Sequence, residues 1–206
     1  MIAVRRSSPS TLLFIMFALA AVIPPRDAIS QQLPPRPSPA VAYQRLDSLE
    51  QAALTGTTFA MRLHAASTIT SIARGQGSCV SGPEPSTIEY PGLVRRLASV
   101  YRRSEDASLR RSILNLMLFQ VECDEAVAFL TEVAEGAPQG RFARPGLVID
   151  ESLATPQSGA VSLLLEFGPR GESALRRLHS QGTVRDSFAR SSLESFARNG
   201  FRLPRR

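Results

Sequence analysis

Ser104–Gly136, SEDASLRRSILNLMLFQVECDEAVAFLTEVAEG, is the stretch whose reading decides the fold. It reads as a hairpin of two helices joined by a tight corner, Glu122-Cys123-Asp124-Glu125. Ser104 is a good N-cap for the first, with Glu105 and Asp106 suited to the positive helix end. From Ile113 to Val121 that helix is apolar on nearly every side, the pattern of a helix buried between neighbours. The second helix repeats Val127, Leu130 and Val133/Ala134 at helical spacing and stops at Gly136. The hydrophobic core is therefore expected to be helix on helix, an all-α fold, with Leu116 at its centre.

The chain upstream continues the pattern. Ala40–Leu54 places Ala42, Leu46, Leu49 and Ala53 on one face, and Gly56 ends that helix. Phe59–Arg74, capped by Thr57 or Thr58, places Met61, Ala65, Ile69, Ile72 and Ala73 together. Gln76–Glu89 is a loop containing Cys79. Pro91 suits the first turn of a third helix with Leu93, Leu97, Val100 and Tyr101 inward.

Downstream, residues 137–156 form the longest interruption. Helices are expected again over Ser158–Phe167, Glu172–Ser180 and Val184–Arg198, separated by Gly168-Pro169 and Gly182. No segment alternates as a strand does. Residues 40–200 thus form about eight helices in antiparallel pairs, followed by a basic tail, 201–206.

The first thirty residues read as an address rather than as structure. Arg5 and Arg6 precede an apolar run, Leu12–Ile23, and Ala28-Ile29-Ser30 fits a small-x-small cleavage pattern. The run is shorter than the ~20 apolar residues of a spanning helix. We therefore expect a cleaved export signal over 1–30 and no transmembrane span after cleavage. A proline-rich linker, 31–39, follows it.

All basic side chains but the two histidines are arginine, since the chain has no lysine. Removing residues 1–30 leaves 21 Arg against 17 acids, a modest and dispersed excess. With no dense basic stripe and no recognition motif, nucleic acid is not an expected partner.

Three segments open alike: Met61-Arg62-x-x-Ala65-Ala66, Leu109-Arg110-x-x-Ile113-Leu114 and Val184-Arg185-x-x-Phe188-Ala189. At these residues, and at Phe167-Gly168-Pro169 with Ala174-Leu175-x-x-Leu178, the chain resembles HEAT-like helical repeat proteins. The resemblance implies a short α-solenoid of stacked antiparallel helix pairs, in which each pair buries its apolar face on its neighbours. The alternative is an irregular helical bundle. In a stack, the corners holding Cys79 and Cys123 lie on the same edge of adjacent layers, so a Cys79–Cys123 disulfide is expected in an exported chain.

No constellation of base, nucleophile or metal ligands emerges. His64 falls on a helix with Thr68 and Ser71, and His179 ends a helix; neither stands at metal-ligand spacing from the cysteines. No catalytic, metal or cofactor residue is expected. The half from Gly140 onward carries 11 Arg against 6 acids, so an acidic partner is sought there first, at Arg176, Arg177 and Arg185. The leading expectation is an exported, non-enzymatic scaffold binding a protein or peptide. The alternative is an envelope-associated structural protein whose basic end contacts anionic surfaces.

Overall fold

In the computed structural model, residues 37–80, 87–136 and 155–201 are described. Residues 1–30, read above as an export signal, and the loop core at 137–154 lie outside these, as do most of the expected linker and the tail beyond Phe201. The described chain is all-α, without a strand. Its helices are α1 (Pro39–Gln44), α2 (Leu46–Thr55), α3 (Phe59–Ser71), α4 (Leu93–Arg103) and α5 (Ala107–Leu116). They continue with α6 (Cys123–Glu135), α7 (Pro156–Leu164), α8 (Gly168–Gln181) and α9 (Ser187–Arg198). Single 3-10 turns follow α5 at Met117–Phe119 and α7 at Leu165–Phe167.

Packing sorts these helices into pairs and rows. α2 lies against α3, α4 against α5, α6 against α7 and α8 against α9. The first helix of each pair also packs on the first of the next (α2, α4, α6, α8), and the second helices do the same (α3, α5, α7, α9). Three-residue links between α2 and α3 and between α4 and α5 force antiparallel neighbours. The two rows share one core. Ile69, Leu109, Ile113, Val161 and Leu164 in one row, and Leu93, Leu97, Leu130, Leu175 and Leu178 in the other, are fully buried.

This arrangement corrects the reading of Ser104–Gly136. Its two helices are not a hairpin: α5 closes one pair and α6 opens the next. Ser104 ends α4, and the N-cap of α5 is Asp106, whose carboxylate accepts from the Ser108 and Leu109 N–H groups. Its two oxygens outdo a single hydroxyl by also accepting from Arg62. Nor is the run to Val121 buried on every side. α5 stops at Leu116, Asn115 is exposed, Leu116 is only partly buried, and Phe119 stands 58% exposed. The 3-10 turn breaks the α-helical period, so Met117, Gln120 and Val121 are buried while Phe119 between them is not.

Other boundaries shift for local reasons. The first expected helix is two, because Arg45 leaves helical geometry (φ −111°) between α1 and α2. Pro39 belongs to α1 rather than to the linker. Pro91 precedes α4 instead of entering it, and Gly92, at φ +88°, sits where a Cβ would be strained. Gly168-Pro169 starts α8 rather than breaking a chain, giving 14 residues in place of a short helix. α7 begins at Pro156 under a capping box made by Thr155 and Ser158.

The third repeat segment also shifts. α9 is capped by Asp186, so Val184 and Arg185 lie outside it. Counting from each cap, the matching residues are Thr58…Met61-Arg62, Asp106…Leu109-Arg110 and Asp186…Ala189-Arg190. The caps themselves join the layers. Arg62 pairs with Asp106, and the Thr155 hydroxyl donates to Asp186 Oδ1 at 3.0 Å.

Candidate functional site

Consecutive pairs are joined by corners. The first spans Ile72–Gly92, the second Met117–Glu122 and the third Leu165–Phe167. The first corner is tied covalently to the start of α6, next to the second corner, by Cys79–Cys123, with Cα atoms 5.3 Å apart. The Cys79 N–H donates to Gln120 O at 3.0 Å, and the Ser78 hydroxyl donates to Leu118 O at 3.1 Å. Buried Glu122, also in the second corner, accepts from the Gly92 and Val94 N–H groups at the start of α4. A carboxylate from a neighbouring corner thus caps a helix that has no capping side chain of its own.

Beside this clamp, with Ser78 common to both, lies a cleft of about 330 Å³ between the ends of α3 and α5. Leu116 and Phe119 give it an apolar side; Ser67, Thr70, Ser71, Arg74 and Ser78 give it a polar one. Phe119 is the most exposed of the large apolar side chains. Ser71 donates its proton to Thr68 O at 2.8 Å and Thr70 donates to Ala66 O at 3.4 Å, so both hydroxyls face a ligand as acceptors. The Arg74 side chain is exposed and makes no hydrogen bond or ion pair with a described residue. Among the described residues no acid lines the cleft.

A shallower groove of about 490 Å³ runs between α6 and α8, lined by Asp124, Val127, Ala128, Arg170 and Arg177 among others. Here Arg170 Nε donates to Asp124 Oδ1 at 2.9 Å.

The arginines expected to meet a partner do not form one cluster. Arg176 donates twice to Glu172 and lies over the Phe201 ring, its guanidinium carbon 4.9 Å from the centroid. Phe201 is buried, so the tail begins packed. Arg177 lines the α6–α8 groove, and Arg185 is exposed in the link between α8 and α9. His179 is exposed, 6.0 Å from the Phe201 ring, and His64 is partly buried. Thr68, expected on a polar face beside His64, is buried and donates to His64 O.

Two other groups bear on chemistry. Tyr101 packs edge-on against Phe129 at 5.3 Å, and burial pushes its phenol up to about 12, so it stays protonated at neutral pH. Among the described residues no group of three His, Cys, Asp or Glu is placed to hold a metal ion, and both cysteines are in the disulfide. No helix among them is long and apolar enough to cross a membrane.

Sequence reasoning missed Phe119, Leu116 and Arg74 as a set. The signals present were Gln120, a polar break in the apolar run, and Arg74-Gly-x-Gly, a glycine-flanked arginine after a helix. Neither says that the two meet. No protein-family model matches the chain, and no curated protein or solved structure matches it.

Proposed function

We propose that the chain is an exported, non-enzymatic scaffold of HEAT-like helix pairs whose α3–α5 cleft binds a protein or peptide partner. The observation that carries this is Phe119, 58% exposed at the cleft and held there by a corner stapled through Cys123. A large aromatic held out in water by a covalently fixed backbone is preorganised, so binding it orders little that is not already ordered. Aromatic and Arg side chains are also the residues that most often anchor interfaces. The disulfide suits an oxidising compartment, in keeping with the export signal read over 1–30.

Photo-crosslinking in the native host tests this. A photoreactive phenylalanine analogue at position 119 is expected to yield a discrete protein adduct that the same group at Glu194 does not. An adduct common to both positions, or none at 119 beside salt-releasable sedimentation with anionic vesicles, overturns the reading. So does recovery of the chain from the cytoplasm with both thiols reduced.

A further inference from the structure

The cleft's chemistry narrows its occupant. We infer that it takes the C-terminal end of a peptide, with the last apolar side chain between Leu116 and Phe119 and the α-carboxylate on Arg74; this rests on the scaffold reading above.

Charge complementarity is the first argument. The Arg74 side chain is a cation with no described partner, in a cleft that no acid among the described residues lines. A guanidinium pairs best with a carboxylate, through two parallel N–H···O bonds. Hydrogen-bond polarity is the second. Ser71 and Thr70 have committed their protons to Thr68 O and Ala66 O, so they ask the ligand for N–H donors. A peptide end offers an apolar side chain, a carboxylate and backbone N–H groups together. A fatty acid lacks the donors, and inorganic phosphate lacks the apolar group. Size is the third: at about 330 Å³ the cleft is at the small end of ligand sites, which suits a chain terminus.

The purified full chain is tested against an immobilised library of peptides with free C-termini and the same library amidated. Retention of free-acid peptides ending in Leu, Ile, Val or Phe is expected, with amidation weakening binding about tenfold or more. Arg74→Gln should abolish the acid-over-amide preference, and Phe119→Ala should weaken both forms. Unchanged thermal melting of Arg74→Gln, whose native side chain has no described partner, separates this from misfolding.

Equal retention of acid and amide forms, or equal competition by laurate, overturns the assignment. If position 119 still crosslinks a protein in cells, the scaffold reading survives that failure. If neither peptide binding nor a crosslink appears, both fall.

Discussion

The first and second corners stand in the same relation as the second and third, yet chemistry of different strength joins them. Cys79–Cys123, two inter-corner hydrogen bonds and the buried Glu122 carboxylate lock the first junction. At the second, Asp124 and Arg170 meet as an ion pair whose side chains are 83% and 45% exposed. Exposed pairs of this kind contribute about 0–1 kcal/mol. The stack therefore has a rigid end, which bears the cleft, and an end held mainly by burial. Rigidity is useful where an aromatic must be displayed without collapsing onto the core, and unnecessary where helices simply stack.

Removing the covalent link should produce the largest effect. The bridge closes a separation of 44 residues, for which the chain-entropy model gives about 4 kcal/mol as an upper figure. Denaturant unfolding of Cys79→Ser/Cys123→Ser is expected to show a loss of that order. A loss below about 1 kcal/mol would mean that the first junction is no tighter than the second, and the contrast would disappear.

The next effect lies at the third corner, where steric fit takes the place of covalency. Gly171 in α8 is buried so close to the end of α7 that a Cβ would stand 1.7 Å from Leu164 O, a backbone atom that cannot rotate aside. Gly171→Ala must move one helix against the other. Overpacking of this kind costs about 1–3 kcal/mol, occasionally more, despite alanine's higher helix propensity. Stability equal to or above that of the parent would show that this junction is loose enough to absorb a methyl group.

The all-α core was legible because burial follows period: Ile69, Ile113, Leu130 and Leu175 all fall on faces that a 3.6-residue repeat picks out. The disulfide was legible for a related reason, since corners recur on one edge wherever pairs recur. What failed lies where helices end. Ser104 and Asp106 are both acceptable caps by residue type, and only the tertiary demand of Arg62 selects the second. Leu116 and Phe119 look like core in a run of nine mostly apolar residues, but Leu116 ends α5 only partly buried and the 3-10 turn that follows leaves Phe119 exposed. The cleft could not be read for the same reason. It is assembled from the end of α3 and the end of α5, more than forty residues apart, and no local pattern records that meeting.

The smallest expected effect discriminates the junctions by pH. Burial by itself would raise the Glu50 pKa, but the Ser99 hydroxyl, Arg96 and Arg103 outweigh it and hold the carboxyl below its ordinary value. Asp106 is likewise held low: burial is outweighed by the Leu109 N–H, Arg62 and the Ser108 N–H. Both tie pair one to pair two. A carboxyl with a depressed folded pKa contributes stability that is complete above its unfolded value, about 4. That contribution is lost as pH falls through the folded value. Melting temperature should therefore decline below about pH 4, and Glu50→Gln should flatten the decline while lowering stability at pH 7. Asp124→Asn, which removes only an exposed pair, should change stability by less than about 1 kcal/mol and leave the acid slope as it was. An acid slope that follows Asp124 instead of Glu50 would place the electrostatic strength of the stack at the wrong junction.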